Sequence, residues 1–209
     1  DNENKPGMYW LTGSQQFKLM KNVQESLAGR VGIVRLNSFT YSEINKKAET
    51  KVIFNPKKIV KSELIDVNTL YEYIFKGGMP ELYNNDKMKR EYFFNSYIET
   101  YLTRDVENAV SISNLEIGSE VGISDNTAKS WLNILVTSGI IYLLTPYNLS
   151  REKRVNHMPK IVWMDTGLCA FLAGYESART LQMSAANRHY LETYVISEII
   201  KSYNAVGIN

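Results

Sequence analysis

The side chains in this sequence that could do chemistry are mainly cations, and the chemistry they could do is to bind phosphate. Arg151, Lys153 and Arg154 lie in a ten-residue stretch, 151–160, that holds four cations and one acidic residue and so carries a net charge of +3. Guanidinium and ammonium groups contact the phosphates of duplex DNA without reading its base sequence. The stretch therefore predicts a phosphate-binding segment.

A second set of polar side chains lies upstream, on one surface of a predicted helix. Lys129, Ser130 and Asn133 can hydrogen-bond to bases or phosphates, as can Asn126 and Thr127 just before them. A single lysine without an arginine does not favour sequence-specific reading of the major groove, where arginine makes the commonest specific contact. Contact with DNA and contact with a protein partner or neighbouring domain therefore both stay open for this surface.

The segment from Leu115 to Asp165 predicts the scaffold that positions both sets. A short apolar-periodic helix, 115–121, ends at Gly122, and Ser124 then stands as the N-cap of a second helix. Gly139 ends that second helix, and two β-rich runs follow at 140–144 and 161–164. Helix, turn, helix and two-stranded hairpin is the order of a winged helix-turn-helix. Its predicted core includes a stripe at helical spacing and one tryptophan of the second strand: Ala128, Trp131, Leu132, Leu135, Val136 and Trp163.

The composition excludes several classes of protein. The 209 residues are 44% hydrophobic and 22% charged, which is typical of a folded globular chain. No apolar run approaches the roughly 20 residues needed to span a bilayer. With one cysteine, Cys169, and two histidines, an internal disulfide is excluded and a metal site is not expected. We expect a reduced, cytoplasmic setting, and the net charge of +2 does not by itself indicate a nucleic-acid partner.

The first 45 residues predict a strand, a helix and a strand. Residues 7–12 form a strand pattern, Gly13-Ser14 turns it into an amphipathic helix that ends at Gly29, and Val31–Leu36 forms the second strand. Such a unit must join a larger, mostly parallel sheet, because alone it leaves both sheet edges unpaired. We expect the chain to begin within a domain.

This part of the sequence resembles a group of prokaryotic AAA-type ATPases that carry a C-terminal region of uncharacterised function. Four stretches carry the resemblance: Trp-Leu-Thr-Gly-Ser-Gln at 10–15, Ser-Leu-Ala-Gly-Arg at 26–30, Val-Gly-Ile-Val-Arg-Leu at 31–36 and Ser-Glu-Ile at 42–44. The resemblance implies that Ser14 ends the sensor strand facing the terminal phosphate of ATP. It implies that Arg30 is a finger toward the nucleotide of a neighbouring subunit, which would stabilise charge on the transferred phosphoryl group.

The intact protein is therefore expected to use ATP and Mg²⁺ and to form a homo-oligomer. The glycine-rich phosphate loop that ATP hydrolysis needs occurs nowhere in these 209 residues. We expect that loop upstream of Asp1, and we expect this chain alone to be inactive as an ATPase. Without the nucleotide roles, Gly13-Ser14 is a strand-to-helix turn and Arg30 a surface residue at a helix end.

The middle of the chain predicts a helical lid. A helix around Leu70–Phe75 ends at Gly77-Gly78, and the Gly-Gly-Met-Pro turn there resembles the lid of the same ATPases. A longer helix is predicted from Asp86 to about Val106, and an aromatic stripe at helical spacing predicts its buried face: Phe94, Tyr97, Ile98, Tyr101 and Leu102. Because no complete helix fits just before Leu115, we expect residues of the parent protein to be missing between Asn114 and Leu115.

The C-terminal part predicts two further helices. Asp165 is the expected N-cap of a helix at 168–173, and Ala185–Tyr203 forms the last helix with Leu191, Tyr194, Val195 and Ile199 facing inward. Glu192 and Glu198 fall away from that inward face, where a glutamate is usually a solvated charge. The resemblance implies that this last helix opens a restriction-endonuclease-like domain whose first carboxylate is Glu198, or Glu192. The later acidic residues of such a site are not in the sequence, so no metal site is expected here.

Together these patterns predict a mixed α/β, mainly helical chain in four parts. Residues 1–45 are the end of an AAA-type ATPase core, 46–114 a helical lid, 115–165 a winged helix, and 166–209 the opening helices of a nuclease-like domain. The expected function is an ATP-dependent switch that acts on duplex DNA or a protein partner. The alternative is a non-catalytic, DNA-binding winged-helix regulator.

Overall fold

A computed structural model describes residues 34–47, 64–102, 125–147 and 159–205, together with Trp10, Arg30, Gly32 and Gly207. The chain divides into two compact units, Asp1–Ile33 and Val34–Asn209, and the fold given below belongs to the second. Several predicted features lie outside the described residues. They are the strand at 7–12 apart from Trp10, the helix after it, the helix at 115–121, the N-cap at Ser124, the basic stretch 151–158 and the link from Asn114 to Leu115.

The second unit is mainly helical. In chain order its described helices are α1 (Tyr41–Ile44), α2 (Val67–Lys76), α3 (Glu81–Asn84), α4 (Arg90–Tyr97, continued by a π-helical turn at Ile98–Leu102), α5 (Asp125–Thr137), α6 (Thr166–Leu172), α7 (Ala178–Gln182) and α8 (Asn187–Ala205). Its strands are β1 (Ile141–Leu144) and β2 (Lys160–Trp163), which form a two-stranded antiparallel sheet between α5 and α6. The predicted mixed, mainly helical class is confirmed. Within the described residues, no helix is both long and apolar enough to cross a membrane.

Helix α2 forms as its sequence predicts. The Asp66 carboxylate accepts hydrogen bonds from the backbone N–H groups of Asn68 and Thr69, which caps the N-terminus. The helix ends at Gly77, whose φ of 76° lies in the left-handed region that favours glycine. It packs mainly on α6 and α7, and the first hydrophobic cluster lies among these helices and α8: Tyr71, Ile74, Ala170, Ala178, Leu181 and Tyr190.

Helix α4 begins at Arg90 and not at Asp86 as predicted. The residues before it form a turn, in which the Asn85 side chain accepts a hydrogen bond from the Lys87 N–H and competes with helix formation. The predicted aromatic core is confirmed for Phe94, which is fully buried against Phe171. Phe94 belongs to the second hydrophobic cluster, which joins α4 to the hairpin and α6: Leu82, Phe94, Ile140, Ile141 and Leu168.

Helix α5 and the hairpin match their predicted positions within one residue. Gly139, with φ of 72°, ends the helix, and Ile141 of β1 pairs with Trp163 of β2. Leu132, Leu135, Val136 and Trp163 pack against the second cluster, as predicted. The prediction for Trp131 was wrong, since its side chain is 41% exposed. Leu132, Leu135 and Val136 form the buried stripe of α5, and Trp131 lies at the edge of that stripe, where part of its large side chain stays in water.

The predicted strand Val31–Leu36 is not formed at residues 34–36. Val34 is exposed there, and Leu36 is 93% exposed. A strand needs a neighbouring backbone to bond with, and the two strands of the described part of the chain pair with each other. The sheet of the predicted ATPase core is therefore not seen among the described residues.

The C-terminal helices position the rest of the unit. Asp165 caps α6 as predicted, accepting a hydrogen bond from the Leu168 N–H, although the helix begins at Thr166. The inward face of α8 was only partly predicted. Leu191 and Tyr194 do pack on the first cluster, but Val195 is 48% exposed. The fully buried positions of α8 include two polar residues, which apolar periodicity does not identify: Tyr190, Ser197 and Lys201.

One side chain connects both clusters. The largely buried guanidinium of Arg90 donates to the carbonyl oxygens of Phe75 at 3.0 Å and Gly167 at 3.1 Å, and it lies 3.8 Å from the centroid of the Phe75 ring. It thereby holds the start of α4 against the end of α2 and the start of α6. Two carbonyls at helix ends thus gain a charged donor.

The close approach of α2 and α6 makes a specific prediction for Gly77. A Cβ added there would collide with the Asp165 carboxylate and lie 2.9 Å from the Gly167 backbone, whereas at Gly174, with a similar φ of 74°, it would meet open space. We expect Gly174→Ala to lower the free energy of unfolding by about 1 kcal/mol through backbone strain alone. Gly77→Ala should lower it by at least about 3 kcal/mol. Urea denaturation checks both values, and equal effects would contradict the role given to this approach.

Candidate functional site

Three segments of the chain meet at the C-terminal end of α2, and this place is called the junction below. The Phe39 N–H donates to the Gly78 carbonyl at 2.7 Å. The Asp165 carboxylate, 4% exposed, accepts from the Gly78 N–H at 2.8 Å with one oxygen and from the Leu168 N–H at 2.9 Å with the other. Residues 38–41, the Gly77-Gly78 turn and the start of α6 are thereby joined through backbone groups.

Helix α8 contributes two charged side chains to the junction. The Glu198 carboxylate accepts a hydrogen bond from the Tyr41 N–H at 2.7 Å, and its other oxygen lies 3.7 Å from the Lys201 ammonium. The Lys201 ammonium also donates to the Phe39 carbonyl at 3.4 Å. Lys201 is only 5% exposed and Glu198 is largely buried. Two ionisable groups in the interior thus hold the segment that contains α1.

Burial controls the protonation of the groups around the junction. It raises the pKa of the Glu198 carboxyl, and the Lys201 ammonium and the Tyr41 N–H offset this only in part. Burial also raises the pKa of the Tyr83 hydroxyl, which donates to the Gly77 carbonyl at 2.7 Å, and the pKa of the Tyr194 hydroxyl. Both tyrosines therefore stay neutral, and the Tyr83 hydroxyl acts as a hydrogen-bond donor rather than as a base.

A small cavity lies inside the junction, lined in part by Thr166, Tyr194, Glu198 and Lys201. Its volume is about 10 Å³, which is about the room that one water molecule needs. The Tyr194 hydroxyl is buried beside it and has no hydrogen-bond partner among the described residues. The cavity could satisfy that hydroxyl with a water molecule, but it is too small for a nucleotide or a base. The junction is thus a site of attachment between segments and not a substrate pocket.

The structure corrects the expectation that Glu198 is a solvated charge. Its carboxylate is committed to the junction. Glu192 lies on the surface, where it forms an ion pair with Lys160 of β2 that lowers the pKa of the glutamate. Among the described residues, no cluster of three potential ligands could hold a metal ion. The two glutamates therefore serve different contacts six residues apart on one helix.

The predicted DNA-binding residues fall into three groups. Lys129 and Asn133 are exposed one turn apart on α5, and Ser130 is partly buried. Arg151, Lys153 and Arg154 lie outside the described residues. Lys160, the last cation of the basic stretch, is engaged by Glu192, so the ion pair neutralises part of the predicted charge.

The described structure does not test the residues assigned to nucleotide chemistry. Arg30 is exposed in a turn, and Ser14 lies outside the described residues. Sequence reasoning also missed Lys201 and the role of Glu198. Opposite charges at positions i and i+3 are usual on the solvated face of a helix, so the sequence did not indicate that Glu198 and Lys201 are buried. The spacing of Tyr190, Tyr194, Ser197 and Lys201 along one face of α8 was the available clue.

Comparison with known proteins gives two family matches. The model described as "Domain of unknown function (DUF8612)" matches residues 67–116 and 109–179, so its two parts overlap where missing residues were expected. The model described as "AAA domain" matches residues 1–45, which supports the predicted AAA-type family for that segment. Since the second structural unit begins at Val34, the last residues of the AAA match, including α1, are built into that unit.

Two curated relatives are similar over nearly the whole chain. They are "Uncharacterized protein Rv2008c" of Mycobacterium tuberculosis and "Uncharacterized protein Mb2031c" of Mycobacterium bovis. Each is 22% identical over 219 residues, covering 93% of this chain and 44% of the relative. The chain therefore spans less than half the length of these relatives. No solved structure matches it significantly.

The pKa values of Glu198 and Glu192 are shifted in opposite directions, so their contributions to stability should change with pH in opposite directions. The folded protein binds the Glu198 proton more tightly than the unfolded chain does. This group's contribution to stability is therefore fully present below about pH 4.3 and is lost as pH rises through the raised folded-state pKa. For Glu192 the folded-state pKa is lowered, so its contribution is present above that pH and lost on acidification.

We therefore expect the free energy of unfolding of wild type, minus that of Glu198→Gln, to decrease between pH 4 and neutral pH. The difference between wild type and Glu192→Gln should change the other way. Urea unfolding at a series of pH values measures both. Slopes of the same sign would contradict the burial of Glu198 in the junction.

Proposed function

Because the chain belongs to the family described as "Domain of unknown function (DUF8612)" and its first 45 residues match an AAA domain, we propose that it is part of an AAA-type ATPase. In the longer protein, ATP and Mg²⁺ switch a winged helix that acts on duplex DNA or on a protein partner. The observation that carries the proposal is the order of α5, the Gly139 turn and the antiparallel hairpin β1–β2, downstream of the AAA match.

The packing of this segment supports a winged helix. Ile140 and Ile141, which lead into and begin β1, lie in the second cluster with Phe94 and Leu168, so the hairpin is anchored in the same core as α4 and α6. Lys129 and Asn133 remain exposed on α5. The connection between the two strands carries three cations that would contact phosphates: Arg151, Lys153 and Arg154.

The nucleotide half of the proposal concerns the longer protein. By resemblance, Ser14 faces the terminal phosphate and Arg30 reaches the nucleotide of a neighbouring subunit, which requires a homo-oligomer. The phosphate-binding loop and the acidic residue for Mg²⁺ would come from the part of the longer protein that precedes this chain. A cytoplasmic location goes with this proposal.

A second candidate function is a DNA-binding regulator without catalysis. The exposed Lys129 and Asn133, one turn apart, favour it because they need no nucleotide to contact a phosphate or a base. It differs from the first in one measurable respect, since ATP would leave its affinity for DNA unchanged. Nuclease chemistry is not proposed for this chain, because Glu198 and Glu192 are engaged in the junction and with Lys160.

The DNA-binding half is tested by the salt dependence of duplex DNA binding. Changing Arg151, Lys153 and Arg154 to alanine should weaken binding and lower the slope of log K against log salt by about 1 for every phosphate that the variant no longer binds. A control that changes Lys87, Lys89 and Arg179, exposed cations outside the predicted winged helix, should retain the slope. If both variants bind DNA equally weakly, the net charge of the chain and not the position of these three cations determines binding. No binding at low salt would identify a protein-interaction module.

The nucleotide half is tested in the longer protein with the same DNA. Wild type should change its affinity for DNA when ATP and Mg²⁺ are added, and Arg30→Ala should lower ATP turnover by about 10³-fold or more. An affinity for DNA that is the same with and without ATP would favour the non-catalytic regulator. If Arg30→Ala turns over ATP at the wild-type rate, Arg30 is not an arginine finger.

A further inference from the structure

We propose that residues 38–45 form a releasable strap, held on α8 by Glu198 and Lys201, whose release changes the position of the hairpin β1–β2. The proposed release rests on the proposed function, because the strap is the end of the AAA match and nucleotide-driven movement would act on it.

Polar contacts hold the strap, together with one edge-to-face contact between the rings of Tyr41 and Tyr73, whose centroids are 4.9 Å apart. Its helix α1 has four residues and no buried side chain, and a single turn of this length is unstable alone. It keeps its form through its own capping box, in which the Thr40 N–H donates to the Glu43 carboxylate at 2.7 Å. The next N–H, that of Tyr41, is capped by Glu198 from 157 positions away. The strap is also bonded outside α8, by the Phe39 N–H to the Gly78 carbonyl and by the Tyr73 hydroxyl to the Asn45 side chain, so its release breaks these bonds as well.

The surface beneath the strap is suited to an open state. Among the described residues, the Lys201 ammonium makes only long contacts, at 3.4 Å to the Phe39 carbonyl and 3.7 Å to the Glu198 carboxylate. The Tyr194 hydroxyl is buried without a hydrogen-bond partner among the described residues, next to the small cavity. Release of the strap would let water reach all three groups, Lys201, Glu198 and Tyr194. This hydration offsets part of the cost of breaking the strap's hydrogen bonds, as a two-state element requires.

The strap and α8 both reach the hairpin. The Ser38 hydroxyl donates to the Met164 carbonyl at 3.4 Å, directly after β2. Glu192, six residues before Glu198 on α8, pairs with Lys160 at the start of β2. The two ends of β2 are thus connected to the strap, one directly and one through α8. Release of the strap removes the first of these two supports and frees α8 to shift the second.

Hydrogen–deuterium exchange of the 209-residue chain tests the attachment. In Glu198→Gln combined with Lys201→Met, the amides of residues 39–45 should exchange about tenfold faster, because the variant loses both the negative charge on the acceptor of the Tyr41 N–H and the ammonium contact with the Phe39 carbonyl. The amides of α2 and α6 should keep their wild-type rates. Glu192→Gln, a control on the same helix, should leave the strap rates unchanged. Strap exchange that does not change, or a rise that is equal across all helices, would overturn the attachment.

The regulatory role is tested in the longer protein by duplex DNA binding with and without ATP and Mg²⁺. We expect wild type to respond to ATP, and we expect the response of the Glu198→Gln, Lys201→Met variant to be at least about tenfold smaller while it still binds DNA. Equal responses would overturn the strap's role and leave the proposed function intact. A wild type that does not respond would overturn the ATP switch and the regulatory role together, while the exchange measurement still decides the attachment.

Discussion

The second unit depends on one buried carboxylate. Asp165 follows β2 closely, caps α6 through the Leu168 N–H and holds the Gly78 N–H at the end of α2. Burying a carboxylate is unfavourable unless its oxygens are hydrogen-bonded, and here each oxygen has a backbone donor. The segments can approach this closely because Gly167 has no side chain, since a Cβ there would collide with the Lys76 carbonyl. The hairpin, α2 and the strap are therefore arranged around a single residue.

Arg90 provides the positively charged counterpart of this carboxylate where α2 meets α6. Its guanidinium bonds the carbonyls of Phe75, at the end of α2, and of Gly167, at the start of α6, near the same meeting point. The Asp165 carboxylate thus accepts hydrogen bonds from backbone N–H groups, and the Arg90 guanidinium donates to backbone carbonyls only a few residues away. Because α6 gives Ala170 to the first cluster and Leu168 to the second, this polar contact fixes how the two apolar clusters are placed.

The sequence predicted the parts of this fold whose signals are local. Gly77, Gly139 and Asp165 ended or began elements as expected, because turn and cap chemistry depends on the few residues around each position. Contacts between distant residues left no such signal. Glu198 and Tyr41 are 157 positions apart, and a glutamate that caps another helix looks the same in sequence as one in solvent. For the same reason the pairing of Lys160 with Glu192, and hence the reduced charge of the basic stretch, could not be foreseen.

Helix α8 explains why charged residues are kept in the interior of this unit. The ion pair with β2 at Glu192 and the strap contact at Glu198 lie six residues apart, about 9 Å along the axis at 1.5 Å per residue. Between them, Tyr194 packs on the first cluster, and so does Tyr190 at the start of the helix. Apolar residues at 198 and 201 could not bond the strap's backbone, so the strap would then reach the hairpin only through the bond from Ser38 to the Met164 carbonyl.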